Sequence, residues 1–180
     1  MADNTVVVFT ADNGVFLGDY GLADKQYGYE ASIRVPLMIR PLEKPAIQDV
    51  SATVLNIDLA PTILAFAEVP LPHTMTGKDL SPLWTRAPLR QAWRTDFLYE
   101  HYLAGLKESS LVWEKLIPSS EGVRNERYTY LRYPRQKGEN EQLFDRVADA
   151  NELKNIIHTA PVELVEQLRK RTDELIAQNR

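Results

Sequence analysis

A carboxylate, a carboxamide and a glycine follow one another at Asp12, Asn13 and Gly14, directly after the apolar run 6–9 and the short Thr-Ala link. Asp-Asn-Gly is ordinary turn chemistry, because Asn and Gly tolerate a left-handed backbone. The same residues also offer two hard oxygen ligands, which suit Ca²⁺ or Mg²⁺ far better than a soft metal. Open α/β sheets place such groups at the carboxyl ends of their strands. Taken alone, these residues leave both interpretations open, a turn and a metal site.

A lysine follows across a loop that is punctuated by glycines. Lys25 could bring a point positive charge to an anionic group held by a metal at Asp12 and Asn13. Glycines at 18, 21 and 28 would let the backbone of this loop approach a ligand closely. Two ligands do not complete a Ca²⁺ site, which takes about six to eight oxygens. We therefore expect most ligands of such a site to lie outside this chain.

Composition excludes several classes of protein and of site. The chain has 180 residues and a net charge of −4, which gives no reason to expect a nucleic-acid partner. It has no cysteine, which excludes disulfides, thiolate metal sites and a cysteine nucleophile within it. No apolar stretch approaches the length of a membrane span, and the N-terminus lacks a signal-peptide pattern. The basic residues near the middle of the chain are interpreted as one solvated face of a hairpin: Arg124, Arg127, Arg132, Arg135 and Lys137.

The first half of the chain predicts two strands and one helix. The run Val6-Val7-Val8-Phe9 predicts a strand of the parallel kind, apolar and buried on both faces, and a second strand is expected over residues 35–40. A helix is predicted over 51–67, entered near Asp58 as N-cap with Pro61 in its first turn. Its apolar face is expected to consist of Ile57, Ala60, Ile63, Leu64 and Ala67.

The second half predicts short antiparallel strands and a closing helix. Strands are expected around residues 97–99, 122–124, 128–133 and 141–144, with a turn at 125–127. The helix is expected to begin near Pro161, with Glu163 in its first turn. Its apolar face is predicted to comprise Leu164, Val165, Leu168, Leu175 and Ile176.

The segment "FTADNGVFLGDYGLADKQYGYEASIRVPLMIR" resembles the second metal-binding segment of type I sulfatases, the formylglycine-dependent branch of the alkaline-phosphatase-like superfamily. That segment runs from a strand through Ser/Thr-x-Asp-Asn/His-Gly, Gly-Leu-x-x-Lys and a Tyr-Glu pair to Arg-Val-Pro-Leu. Downstream, "NIDLAPTILAFAEV", "MTGKDLSPLW", "GVRNERYTYLRYP" and "EQLFDRVADANELKNI" are similar to later family elements. The resemblance covers essentially the whole chain, as the C-terminal portion of a sulfatase.

The resemblance implies an α/β fold: the C-terminal part of an alkaline-phosphatase-like sandwich, residues 1–93, and a small α+β domain, residues 94–180, with an antiparallel sheet and a C-terminal helix. It implies that Asp12 and Asn13 ligate Ca²⁺, or alternatively Mg²⁺, and that Lys25 contacts the sulfate group and acts in catalysis. Three further substrate contacts are considered: His73, His101 and Arg124. Each has a plainer alternative, as a loop, surface or structural residue. Arg34 with Glu30 is expected to form a structural ion pair.

The departures from the family pattern concern the nucleophile and one loop residue. The family's formylglycine is made in a Cys/Ser-x-Pro-x-Arg motif, which is absent here; "RAPLR" at 86–90 is interpreted as a chance imitation. The paired aspartates that complete the metal site are absent too. Tyr20 replaces a common His, which leaves the proton donor to the leaving group open. Asn13 stands where phosphatase relatives more often place His, and this favours sulfate over phosphate esters.

The expected function is therefore that of the C-terminal portion of a sulfatase acting on sulfate esters or sulfamates of carbohydrates, inactive by itself. The alternatives are a non-catalytic remnant or interaction module of the same fold, and a phosphatase or phosphodiesterase of the superfamily. The expected partner is a sulfated small molecule or glycan, if the N-terminal part completes the site. Self-association through the first ~40 residues is also expected, since a strand edge would be uncovered. A parent like typical sulfatases would be periplasmic or secreted; a naturally truncated chain would be cytoplasmic.

Overall fold

The computed structural model describes residues 4–47, 49–85, 89, 91–102, 117–136 and 140–179. The chain forms two compact units. Unit 1 comprises Met1–Asp12 and Pro36–Thr95, and unit 2 comprises Asn13–Val35 and Asp96–Arg180. Residues 13–35 thus group with the later part of the chain. The domain boundary predicted between residues 93 and 94 stays a prediction.

The helices and strands follow the chain in this order: β1 Val7–Thr10, β2 Phe16–Leu17, β3 Ala23–Asp24, α1 Glu30–Ile33, β4 Leu37–Arg40, α2 Leu59–Phe66, β5 Asp96–His101, β6 Ser120–Asn125, β7 Tyr128–Arg132, β8 Glu141–Asp145 and α3 Val162–Gln178. Short 3-10 helices span Asp19–Gly21, Asn56–Asp58 and Ser81–Trp84. No helix of the described part of the chain is both long and apolar enough to cross a membrane.

In unit 1, β1 pairs antiparallel with β4, so the prediction of a parallel strand buried on both faces is wrong. Phe9 lies opposite Met38, and their side chains are 56% and 60% exposed. The strand pleat places Val7, Phe9 and Met38 on one face of this two-stranded sheet, and in the described structure that face is open to solvent. The opposite face, with Val8 and Ile39, is half-buried.

Helix α2 begins directly after Asp58, as predicted, but the predicted range 51–67 is too long, and the predicted apolar face is wrong. Ile57 and Ile63 are exposed, and so are the alanines at 60 and 67. The buried residues are instead Pro61 and Thr62. Thr62 fixes this orientation, because its hydroxyl donates to the Asp58 carbonyl at 2.7 Å and accepts from the Leu80 amide at 3.0 Å.

Asp58 is a buried junction of unit 1, and its carboxylate does not cap α2 as the sequence suggested. The carboxylate accepts from the backbone amides of Leu55 and Lys78, each at 2.8 Å. It also forms a two-pronged ion pair with Arg94. Because this charge is fully enclosed, all of its partners must be present for burial to be tolerated. Asp58 therefore ties three separate stretches of chain together.

In unit 2, the four predicted antiparallel strands are present, and they stand in the order β5-β6-β7-β8. The predicted turn is also confirmed, since the Asn125 side chain accepts from the amides of Arg127 and Tyr128. Helix α3 covers one face of the sheet. The core between them consists of Val123, Tyr130, Leu143, Val165, Leu168 and Leu175. The apolar face predicted for this helix is thus largely confirmed, with Leu164 only partly buried.

The basic residues of the sheet are not one solvated face, and that interpretation is wrong. Arg124 is buried. Arg127 pairs with Asp145 at 2.7 Å, and Arg132 lies 2.6 Å from both Glu121 and Asp173. Lys137 lies outside the described residues, as does most of the "RAPLR" segment. Arg124, Arg127 and Arg132 therefore form ion pairs with nearby carboxylates.

Candidate functional site

The segment that follows β1 is held by one asparagine of unit 1. The side-chain amide of Asn56 donates to the backbone carbonyls of Ala11 and Asp12, at 3.1 and 2.8 Å. These bonds use the backbone of Asp12, and its side chain is exposed. The carboxylate is thereby presented on a fixed backbone at the C-terminal end of a strand, as the sequence predicts.

Asn13 and Lys25 meet directly in unit 2. The Lys25 ammonium donates to the side-chain oxygen of Asn13 at 2.9 Å. The amide nitrogen of the same side chain donates to the Gly14 carbonyl at 2.7 Å. Because the nitrogen is engaged by the backbone, the amide oxygen is the atom turned toward Lys25. The structure thus brings a hard oxygen donor and a cation into one small site.

Helix α1 positions both partners of this pair. The amide of Gly14, next to Asn13, donates to the Ser32 carbonyl at 2.8 Å. The Ser32 hydroxyl donates to the carbonyl of Lys25. A Cβ at position 14 would lie 2.1 Å from the Ala31 carbonyl oxygen, so only glycine permits this approach. A single helical turn therefore sets the spacing between Asn13 and Lys25.

A buried ionic cluster supports α1 from the four-stranded sheet. Glu152, only 1% exposed, accepts from the Glu30 amide and the Thr129 hydroxyl, each at 2.6 Å. Arg124 pairs with Glu30 and lies 3.7 Å from Glu152. Burial raises the pKa of Glu152 and lowers the pKa of Arg124 to about 10. The cluster is costly to bury, and the contacts among its members offset that cost.

The other predicted site residues differ in burial and in partners. Arg124, considered as a substrate contact, is directed at Glu30 and Glu152. Arg34 forms the predicted ion pair with Glu30 at 3.0 Å. His73 is exposed in unit 1. His101, at the end of β5, is half-buried; its Nδ1 has no hydrogen-bond partner among the described residues, and burial lowers its pKa.

The donor chemistry fits part of a calcium or magnesium site. Asp12 and Asn13 offer a carboxylate and an amide oxygen, which are the ligands that hard cations prefer. In the described ranges, no group of three or more His, Cys, Asp and Glu residues could hold a metal ion. By donor chemistry, each of the two residues suits a hard cation, and neither completes a site by itself.

Sequence reasoning missed two residues on which these arrangements depend, Glu152 and Arg94. Glu152 lies in a polar loop and adopts a left-handed backbone at φ 53°, which is unusual for a residue with a side chain. Its loop matches a family element, yet neither periodicity nor spacing marks it as buried. Arg94 follows Trp93 in a stretch without a motif, and only the fold reveals that it pairs with Asp58.

Comparison with known proteins identifies the family. The family model for the C-terminal region of N-sulphoglucosamine sulphohydrolase matches residues 18–178. The chain belongs to the sulfatase family. An N-acetylglucosamine-6-O-sulfatase of Bacteroides thetaiotaomicron is 34% identical over 160 residues, covering 88% of this chain and 27% of that protein.

Solved structures support the same assignment of fold. One, a complex with its substrate D-glucosamine-2-N,6-O-disulfate, matches with a TM-score of 0.80 and 29% identity, over 98% of this chain and 35% of that one. The phosphonate monoester hydrolase of Silicibacter pomeroyi matches with a TM-score of 0.79 and 26% identity, over 98% and 35%. The chain thus spans about a third of these relatives. The α/β fold inferred from resemblance is confirmed.

Proposed function

We propose that this chain is the C-terminal portion of a carbohydrate sulfatase, supplying two metal ligands and a cation that contacts the sulfate. The observation that supports this most directly is the 2.9 Å contact between the Asn13 amide oxygen and the Lys25 ammonium. A divalent cation bound at the oxygen and a sulfate oxygen bound at the ammonium would then be neighbours. Asp12, adjacent in sequence, adds the second oxygen ligand.

The proposed reaction transfers the sulfuryl group to a nucleophile from outside this chain. A new bond from that nucleophile to sulfur forms as the bond from sulfur to the ester oxygen, or to the sulfamate nitrogen, breaks. Negative charge builds up on the sulfuryl oxygens and on the leaving atom during this step. A fixed ammonium within hydrogen-bond reach lowers the barrier, because preorganised charge counts most where charge develops. In this scheme Lys25 provides that charge, while Asn13 and α1 hold it in place. When bound, the divalent cation would supply Lewis-acid polarisation of a sulfuryl oxygen.

The nucleophile is expected from outside these 180 residues, because the sequence has neither cysteine nor a Cys/Ser-x-Pro-x-Arg motif. The isolated chain should therefore not hydrolyse an aryl sulfate above background. We further propose that the substrate is a sulfated amino sugar. Support comes from two relatives: one is named an N-acetylglucosamine-6-O-sulfatase, and one was solved with a disulfated glucosamine.

A second candidate function is hydrolysis of a phosphonate or phosphate monoester. The observation in its favour is the similarity to a phosphonate monoester hydrolase over 98% of this chain. Asn13 argues against it, since phosphatase relatives more often place His at this position to match zinc. Parallel assays with a sulfate ester and a phosphonate ester of one chromophore would separate the two.

The decisive experiment is a chimera in which this chain replaces the matching C-terminal region of the Bacteroides sulfatase. Sulfate release from N-acetylglucosamine 6-sulfate would be compared for Lys25→Ala and for Lys154→Ala, an exposed lysine in the same unit. We expect Lys25→Ala to lower kcat by about 10²- to 10³-fold, as for loss of one charge-stabilising donor. Equal rates for the two variants of an active chimera would refute the role of Lys25.

The metal ligands call for a separate measurement. In the same chimera, Asn13→Ala should raise the Ca²⁺ concentration needed for half-maximal activity, whereas Asn151→Ala, a change in an exposed loop, should not. In the isolated chain, two ligands should bind Ca²⁺ only weakly. Calorimetry that shows tight Ca²⁺ binding to the isolated chain would mean that other residues of this chain complete the site.

A further inference from the structure

Unit 2 contains a polar cavity of about 440 Å³, which the proposed sulfate chemistry does not use. Four tyrosines line it: Tyr20, Tyr27, Tyr29 and Tyr133. The rings of Tyr20 and Tyr29 stack at 4.7 Å, and that of Tyr27 lies 6.4 Å from Tyr29. Cavities of this size accommodate small organic ligands. Tyr29 is buried in an aromatic cluster against which Tyr20 and Tyr27 pack, and this packing holds the tyrosine edges and hydroxyls of the cavity rigid.

The polar groups of the cavity are held in fixed orientations. The side-chain oxygen of Gln142 accepts from the hydroxyls of both Tyr29 and Tyr133, at 3.1 and 2.7 Å. With both lone pairs of that oxygen engaged, Gln142 presents amide N–H donors to a ligand. The Gln142 side chain does not have to change its conformation when a ligand binds, because Tyr29 and Tyr133 already fix it.

Asn155 and Glu141 complete the polar side of the cavity. The side-chain oxygen of Asn155 accepts from the amides of Leu143 and Ile157, at 2.9 and 3.0 Å. The carboxylate of Glu141 is held by the Arg169 guanidinium, whose Nε donates at 3.0 Å. The same carboxylate also accepts from the Tyr130 hydroxyl, whose ring lies in the core under α3. Both side chains are thus held by the protein, and the polar groups left for a ligand are the side-chain amides.

The charges of the cavity decide which ligand it suits. Among the described residues that line it there is a carboxylate, Glu141, a histidine, His158, and no lysine or arginine. A sulfate or carboxylate group would find no guanidinium or ammonium partner among these side chains, because Glu141 is already paired with Arg169. A saccharide unit without charge fits better, because its C–H groups can contact the tyrosine side chains while its hydroxyls meet the side-chain amides.

We propose that this cavity, the tyrosine pocket, binds an uncharged sugar residue of a glycan. The inference rests on the proposed function only for the choice of an amino sugar as ligand. If both hold, unit 2 contacts the glycan at two places: at Lys25 through a sulfate group, and at the tyrosine pocket through a neutral sugar. Specificity would then include sugar units that carry no sulfate.

The test is a titration of the full chain with the neutral disaccharide di-N-acetylchitobiose and, separately, with inorganic sulfate. Backbone-amide NMR spectra monitor both titrations. We expect the disaccharide to shift the amides around Gln142 and Tyr27, and Gln142→Leu to weaken binding by about three- to tenfold. Gln167→Leu, the same change at an exposed position of α3, should have no effect. Tyr27→Ala should weaken binding as well, and this gives a second variant should Gln142→Leu fail to fold.

Three outcomes of these titrations would overturn the proposal, besides the Lys25→Ala result described next: no shift at these amides, unchanged binding by Gln142→Leu, or pocket shifts caused by sulfate alone. Lys25→Ala separates the two proposals. If it leaves disaccharide binding intact, the tyrosine pocket is independent of the sulfate site. If it abolishes binding of the neutral disaccharide, the sugar sits at Lys25 and the pocket proposal is wrong. Failure of the chimera assay would leave the titration result unaffected.

Discussion

Removing the buried carboxylate of Glu152 should lower the free energy of unfolding of unit 2 by more than the substitution of an exposed acidic residue does. Glu152→Ala leaves the Glu30 amide and the Thr129 hydroxyl without the oxygens that they now contact at 2.6 Å. It also leaves Arg124, which is 5% exposed, with Glu30 as its remaining close carboxylate. The substitution therefore strands two donors and weakens the pairing of one charge, all in the interior.

The magnitude follows from these contacts. A buried donor that loses its acceptor costs about 1–3 kcal/mol, and breaking a buried ion pair costs about 3–5 kcal/mol. These costs overlap, because the three partners share one network, so we expect a total of about 3–5 kcal/mol. Burial raises the pKa of Glu152, which means that its charge is itself unfavourable. Glu152→Gln, which keeps volume and one acceptor, should therefore cost less, about 1–2 kcal/mol.

The backbone at Glu152 offers an internal check. At φ 53° a residue with a side chain is strained by roughly 1–2 kcal/mol relative to glycine. Glu152→Gly loses the same contacts as Glu152→Ala but relieves this strain, so it should be the more stable of the two.

Denaturant unfolding, with hydrogen exchange at the amides of Gly14 and Glu30, would measure these effects. Glu166→Ala, at an exposed position of α3, is the matched control and should be near neutral. The reasoning would be refuted if Glu152→Ala were no more destabilising than Glu166→Ala. It would also be refuted if exchange at Gly14 were unchanged, since Glu152 would then not support α1.

Three further outcomes are expected. Asp58→Asn should lower the free energy of unfolding of unit 1 by about 3–5 kcal/mol in denaturant, because a carboxylate with buried partners is lost. Asp49→Asn, at an exposed position, should be neutral. Similar values for both variants would contradict the role of Asp58 as a junction. The Arg169 guanidinium holds the pKa of Glu141 below its ordinary 4.5, so the stability that Glu141 adds is present above that pH and lost as pH falls through its folded pKa. Glu141→Gln should thus flatten the acid limb of the stability curve, and an unchanged limb would refute this. Phe9→Lys should reduce self-association of the isolated chain in sedimentation, since Phe9 stands on an open apolar sheet face; an unassociated native chain would overturn the expectation.

The parts of the fold that the sequence predicted well depend on local pattern. Strands β5 to β8 and helix α3 were found because alternation, a turn and an amphipathic face each lie within a few residues. The Asn13–Lys25 pair was found in another way, through a family resemblance across the glycine-rich loop. Hydrophobic periodicity would not have indicated that Lys25, 12 residues further along the chain, contacts Asn13.

The predictions that failed concern what covers an apolar surface. Val7 and Phe9 look like a strand buried on both sides, yet one face of that strand is open in the described structure. Ile63 looks like a core residue of α2, yet the helix buries Thr62, because a hydrogen bond to Leu80 sets its orientation. Hydrophobicity shows that a surface is suited to burial, whereas its partner depends on distant parts of the chain. The interpretation of Arg124 as part of a solvated face failed because its carboxylate partners, Glu30 and Glu152, lie far from it in the sequence.

The geometry around Lys25 gives the small antiparallel sheet a role beyond completing the fold. The loop that bears Asn13 and Lys25 groups with unit 2, and its spacing is fixed by α1 through Ser32. Helix α1, only four residues long, cannot hold that spacing alone, because a single turn is not stable in isolation. Its first amide is fixed instead by Glu152, and its first side chain by Arg124 of β6. The rigidity of the proposed sulfate contact is therefore supplied by the sheet.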